Sequence, residues 1–427
     1  MEKVNRRNLL KMVGGVVAGL AVGGAVGYFT GQTITPKVEK LALSGNIPIG
    51  VLASDPIDAR MLYVAADIAV EDVNDFWKRI GIDAKLVALH ENAEESATKA
   101  VERTEALIAN GCKLIIGPTW SSHLKAMRSI TEARKILVIS PTSSSGELCV
   151  PKKYIYRIAP PDPYEISVHV AILEAYNIKY LIMINTTDSA CASASAGTIK
   201  MFEERGGKVI ARFQLDPEAK EFSAEAALIA DKIKEAIDKY GKDAVGVMQI
   251  TLVPPIPPLW LALSKYPVIY QVKWIGCGSN WGPHPIIFEQ VPDIAAALRF
   301  PQELWGYYES DKSKEVFDKF KAKAGYEGIN WVPYAYDAVW LGALSLMAVG
   351  KYDGELMDKA MRDITKMYFG ASGRILFDEN GDRSNPIYDV WMFDKENGKT
   401  VFKKIAYVDI GAGYKLVWLK GKQPEGW

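Results

Sequence analysis

Short apolar runs alternate along the chain with longer stretches whose apolar residues recur at helical spacing. The runs at 47–52, 85–89, 114–116 and 136–139 are rich in Ile, Leu, Val and Ala, the pattern of strands buried on both faces. Between them the spacing predicts helices over 61–78, 94–110 and 121–133. In the first of these Val64, Ile68, Val73 and Trp77 share a face, and Gly111 closes the second. A strand at 154–159 ends this series, and Pro160, Pro161 and Pro163 interrupt it. The alternation then restarts. Helices are predicted over 164–176, 194–204, 222–239 and 257–264, and strands over 180–184, 208–213, 244–250 and 271–275. The last third predicts helices over 315–324, 334–349 and 355–367, then closing strands over 390–393, 401–408 and 416–419. Steady strand–helix alternation implies parallel sheets with helices on both faces. The predicted fold class is therefore α/β, with two doubly wound parallel-sheet lobes. Lobe 1 is expected at 47–160 and 307–386, and lobe 2 at 161–306 and 387–427.

Ahead of the first strand, Arg6 and Arg7 precede an apolar, Gly/Ala-rich run from Met12 to Thr30. Paired arginines before such a run resemble a twin-arginine export signal; a plain membrane anchor is the alternative. Residues 1–31 are thus expected to export or tether the chain and 32–46 to form a linker, which places the folded part outside the cytoplasm. The absence of a C-terminal membrane helix or signalling domain weighs against a sensory receptor. The 427 residues exceed one ordinary core, in keeping with two lobes. With 51 basic and 51 acidic residues, nothing points to nucleic acid as a partner. Cys112, Cys149, Cys191 and Cys277 match no zinc spacing. Cys191 and Cys277 both follow predicted strands and are candidates for a disulfide, with unlinked buried thiols the alternative.

In open α/β sheets ligands bind at the carboxyl ends of the strands. Here those ends are neutral and hydroxyl-rich. Lobe 1 offers Thr119, Trp120, Ser121 and Ser122 after one strand, and Thr142, Ser143 and Ser144 after the next. Lobe 2 offers Thr187 and Asp188, then Thr251 and Leu252, then Asn280 with Trp281 close by. Ser121 and Ser144 fall at helix starts, where capping a helix and binding a carboxylate are compatible roles. Trp120 and Tyr336 are expected to supply aromatic contact. No catalytic constellation, phosphate loop, cofactor fingerprint or metal motif is present, so neither an enzyme nor a cofactor is expected. A serine hydrolase built on Ser121 and His123 is the rival, although near neighbours at a helix start point apart.

Three stretches carry a family resemblance. They are Ile115-Ile116-Gly117-Pro118 with Ser121-Ser122, then residues 136–144 ending Ser140-Pro141-Thr142-Ser143-Ser144, then Tyr156-Arg157-Ile158 with Pro160 and Asp162. Tyr336-Asp337-Ala338-Val339 and the Gly370, Gly373, Asp378, Asn380 series continue the pattern in order. Together they resemble the type I periplasmic solute-binding proteins, closest to the leucine/isoleucine/valine-binding branch of ABC importers. The resemblance implies two lobes joined by three hinge crossovers, a ligand between them, and delivery of that ligand to a membrane permease. It also implies that Ser121, Thr142 and Ser144 hold an amino acid's carboxylate and ammonium. Around Asp188, Leu252 and Asn280 this chain departs from the family pattern, so ligand choice is expected to reside there.

Overall fold

A computed structural model describes residues 43–278 and 285–422. In chain order its elements are β1 (Ser44–Ala53), α1 (Pro56–Arg79), β2 (Asp83–Asn92), α2 (Ala97–Ala109), β3 (Leu114–Ile116), α3 (Ser121–Ala133), β4 (Leu137–Ser140) and β5 (Ile155–Arg157). Next come α4 (Asp162–Ala175), β6 (Tyr180–Thr186), α5 (Ser189–Glu204), β7 (Lys208–Leu215), α6 (Ser223–Tyr240), β8 (Val245–Ile250), α7 (Ile256–Leu263) and β9 (Lys273–Gly276). The chain closes with α8 (Pro285–Gln290), α9 (Pro292–Leu298), β10 (Pro301–Trp305), α10 (Asp311–Ala324), α11 (Val332–Val349), α12 (Gly354–Thr365), β11 (Phe369–Gly370), β12 (Gly373–Arg374), β13 (Ile387–Glu396), β14 (Lys399–Asp409) and β15 (Lys415–Trp418). The export segment and most of the linker lie outside the described residues, as do Asn280 and Trp281.

The described chain forms two compact units. Unit 1 comprises 43–143, 150–158 and 310–381; unit 2 comprises 144–149, 159–278, 285–309 and 382–422.

Unit 1 is built on one parallel sheet in the order β2-β1-β3-β4-β5. Every residue of β3 and β4 is buried, which is why both read as unbroken apolar runs. Helix α11 is long and apolar enough to cross a membrane, but 72% of its apolar window is buried, which makes it a core helix here. Its Asp337 explains one of the sequence signatures. The fully buried carboxylate accepts from Tyr368 Oη (2.6 Å) and from the amides of Ala371 (2.8 Å) and Ser372 (2.7 Å). A Cβ on Gly370 would lie 2.2 Å from Asp337 Oδ1, so the glycine lets the turn close on the carboxylate.

Unit 2 pairs a parallel sheet, β7-β6-β8-β9, with an antiparallel one, β10-β13-β14-β15. The closing strands predicted from sequence belong to this second sheet. Helix α4 packs in one core with residues of both sheets: Val168, Ile172 and Leu173 meet Met183 and Met248 from one and Val390, Met392 and Ile405 from the other. A second core gathers α6, α7 and α9 around Trp260, Trp274 and Phe300. No disulfide links the four cysteines. Cys191 and Cys277 are instead buried in the α4 core, so the disulfide reading gives way to its alternative.

Candidate functional site

In the order β2-β1-β3, the chain leaves β1 and β3 in opposite directions along the sheet. Loops therefore part at their carboxyl ends and leave a crevice. After β1 come Ser54 and Asp55, and after β3 come Gly117 to Trp120. Gly117 has φ +111°, and a Cβ there would lie 2.1 Å from the Leu52 carbonyl oxygen. Only glycine lets β3 turn this close to β1. The Gly117–Pro118 peptide is cis.

Hydrogen bonds then bind the loops together. Ser54 N donates to Thr119 Oγ1 (3.1 Å), and Trp120 N donates to Ser54 Oγ (2.8 Å). The loop after β4 joins them, with Ser140 Oγ donating to Pro118 O (2.7 Å) and Thr142 Oγ1 to Thr119 O (2.8 Å). Ser143 N donates to Ser140 Oγ (3.2 Å), and Ser143 Oγ lies 2.9 Å from Ser121 Oγ. Ser54, Ser140 and Ser143 are buried, so these bonds are formed out of water and fix the loops. The structure thus brings Trp120, Ser121, Thr142 and Ser143 together. Ser144 belongs to unit 2, where its carbonyl accepts from Asp162 N (2.9 Å).

Helix α3 starts at this cluster. Its N-cap is Trp120, whose side chain offers no oxygen to the first-turn N–H groups. By contrast, Asp55 caps α1 by accepting from Ile57 N (2.6 Å) and Asp58 N (3.0 Å). Trp120 remains 38% exposed, a wall beside the hydroxyls, and its Nε1 donates to Asp58 Oδ2 (3.1 Å). Burial pushes the Asp58 carboxyl up to about 6, and nearby Asp55 adds to the rise. Sequence reasoning passed over Asp58. Its signal was position alone, one turn into the helix that follows the first strand.

Arg60 is exposed on α1. His123 is buried; its ring contacts Trp120 (5.2 Å between centroids), and burial holds its pKa below the usual imidazole value. Tyr336 lies in a different setting. Its hydroxyl donates to Asp72 Oδ2 (2.8 Å), and both line a pocket of about 1080 Å³ with Lys312 and Lys319. Burial alone would raise the Asp72 pKa, but the bonds from Lys319 and Tyr336 outweigh it and hold it low.

In unit 2 the order β7-β6-β8-β9 places the equivalent crevice between β6 and β8. Thr186 Oγ1 bridges them, donating to Asp188 Oδ2 (2.6 Å) and accepting from Leu252 N (3.3 Å). Asp188 caps α5 by accepting from Cys191 N (3.0 Å). Burial would raise its pKa, but these bonds prevail and keep it below the usual carboxylate value. Thr187 is exposed, and Thr251 is buried, accepting from Gln249 Nε2 (2.9 Å).

Residues 53–399 match the family described as periplasmic binding protein. A leucine-, isoleucine-, valine-, threonine- and alanine-binding protein from Pseudomonas aeruginosa is 25% identical, over 89% of this chain and 96% of that protein. The crystal structure of a branched-chain amino acid transporter substrate-binding protein from Streptococcus pneumoniae, in complex with isoleucine, aligns with a TM-score of 0.63. Its identity is 17%, over 84% of this chain and 99% of that one. A solute-binding protein of an ABC transporter from Rhodopseudomonas palustris, in complex with 3,4-dihydroxybenzoic acid, aligns at 0.62 with 15% identity, over 86% and 98%.

Proposed function

We propose, from the premise that this chain belongs to the periplasmic binding protein family, that it is the extracytoplasmic solute receptor of an ABC importer for a small carboxylate-bearing ligand, an amino acid foremost. The observation that carries this reading is the start of α3. A helix N-terminus whose N-cap residue supplies no side-chain hydrogen bond, the Ser121–Ser143 hydroxyl pair and the Trp120 ring meet at the switch point of a parallel sheet. Backbone N–H groups and hydroxyls there suit a carboxylate, and the helix dipole favours its charge. Thr142 positions the loop through Thr119. Ser144 and Thr187 would add hydroxyl contacts, and the ionised Asp188 would answer a ligand ammonium. Thr251, Leu252 and, beyond the described residues, Asn280 would set which side chain is accepted. The ligands named for those relatives, small amino acids from alanine to isoleucine and an aromatic acid, share a carboxylate and differ in the rest.

A hydrolase is not supported. The His123 ring is buried against Trp120, and the relatives named above are binding proteins. Tethering by the N-terminal segment and handover to a permease complete the proposal. Isothermal titration with leucine, isoleucine, valine, alanine and 3,4-dihydroxybenzoate tests it. One-site binding of at least one of these carboxylates is expected; turnover of an ester or amide without such binding would refute it.

A further inference from the structure

Four side chains converge in unit 2 from three elements. Glu165 and His169 stand one turn apart on α4, Cys277 directly follows β9, and Glu303 lies at the centre of β10. All four are buried, and their Oε, Nε2 and Sγ atoms all lie within 4.8 Å of one another. Cys277 Sγ is 2.9 Å from Glu165 Oε1. His169 Nε2 is 3.2 Å from Glu303 Oε1 and 3.7 Å from Glu165 Oε1.

Two carboxylates and one imidazole in a dry core need a compensating charge. Glu303 Oε2 is buried with no hydrogen-bond partner among the described residues, although Gly278 N donates to Oε1 (3.1 Å). On the outer side, His169 Nδ1 lies 2.9 Å from Thr198 Oγ1 on α5. A hydrogen bond there orients the ring with Nε2 facing the cluster, the outer support that metal-bound imidazoles ordinarily have. Gly278 is sterically required, because a Cβ would lie 1.8 Å from the Glu303 carbonyl oxygen.

We infer that Glu165, His169, Cys277 and Glu303 form a closed structural site for one zinc-class divalent cation. Sulfur, nitrogen and two carboxylate oxygens are a donor set zinc accepts. Bonds of roughly 2.0–2.3 Å in a tetrahedron place ligand atoms ~3.3–3.7 Å apart, inside the spread seen here. The ion would tie the edge of the parallel sheet to the antiparallel sheet through α4.

The test uses the full chain, purified without chelator, exposed to Zn2+ and cleared of excess, with metal counted by mass spectrometry. Co2+ serves as the spectroscopic probe. One retained equivalent, a thiolate-to-cobalt charge-transfer band, and an unfolding temperature several degrees higher with Zn2+ than after chelation are expected. Cys277→Ser should abolish the band and weaken metal binding by more than about tenfold, whereas Cys191→Ser should keep both. Should Cys277→Ser fail to fold, Glu303→Gln is titrated instead, with the same weakening expected. A wild-type chain that retains no metal and unfolds identically with and without it would overturn the site, leaving a protonated His169 to balance the carboxylates. So would a cobalt band that survives Cys277→Ser, or unweakened metal binding by folded Glu303→Gln.

Discussion

The carboxyl edges of the two parallel sheets share a strand order but not a chemistry. In each unit the helix after the parallel sheet's first strand in sequence, β1 or β6, is capped by an aspartate, Asp55 on α1 and Asp188 on α5. In each, the helix beyond the switch point has no side-chain cap. There the likeness stops. Helix α3 opens Ser121-Ser122-His123, with N–H groups and hydroxyls to offer. Helix α7 opens Ile256-Pro257-Pro258. Its two prolines have no N–H to donate, and Ile256 and Pro257 are buried. One backbone arrangement thus ends in N–H groups and hydroxyls in unit 1 and in buried apolar, proline-containing chain in unit 2. The proposed reading draws on that difference: the start of α3 would take a carboxylate, and the loops of unit 2 would bear on ligand choice.

Giving α3 the cap that α1 and α5 possess should break the comparison most severely. Trp120→Asp places a carboxylate at the helix start, and two like charges ~4 Å apart repel by up to about 4 kcal/mol at an effective dielectric of 20. Carboxylate affinity should fall by roughly 100-fold or more in titration calorimetry, while Trp120→Ala, which removes only the ring, should lose about tenfold. Removing the opposite cap tests unit 2. Asp188→Ala should cost about 1 kcal/mol of stability, a drop of ~3 °C in the calorimetric unfolding temperature. Ser121→Ala removes one hydroxyl of the pair and should weaken binding by ~1 kcal/mol, about fivefold, with little change in unfolding temperature.

Asp58 makes the smallest and most pH-dependent difference. Its folded pKa of about 6 stands above the ordinary value of 3.8, so the folded state holds the extra proton between those limits. Its contribution to stability therefore falls as pH rises from about 4 to 6, and the full penalty applies above 6. Being partly exposed, it should cost no more than about 1 kcal/mol. Asp58→Asn should flatten that slope in urea titrations at pH 4 to 7. The wild type is expected to lose carboxylate affinity above pH 6, where Asp58 ionises beside α3, and Asp58→Asn should remove that decline.

Much of this was legible before the structure. β3 and β4 read as apolar runs because both faces are covered, and the hydroxyl clusters at 119–122 and 142–144 stood out because they followed them; that Ser121 meets Ser143 did not show. Strand β10 did not read as a strand. It opens with Pro301 and buries Gln302 and Glu303, polar residues that break the apolar pattern. With β10 unseen, the meeting of Glu303 with residues 26 to 138 positions earlier had no sequence signal. Trp120 was read as an aromatic contact, but its bond to Asp58 depends on how α1 and α3 stand at neighbouring strand ends. Tyr336 was read as an aromatic contact; the bond of its hydroxyl to Asp72 within unit 1 had no sequence signal.

The central claim is that the start of α3 is the carboxylate grip. The most direct measurement is isothermal titration of leucine, or of whichever carboxylate binds best, into the wild type and Trp120→Asp, alongside its uncharged amide analogue. The account predicts one-site binding by the wild type, loss of at least about 100-fold for the carboxylate in Trp120→Asp, and a much smaller change for the amide. Equal losses for the two, or undiminished carboxylate binding by Trp120→Asp, would contradict it.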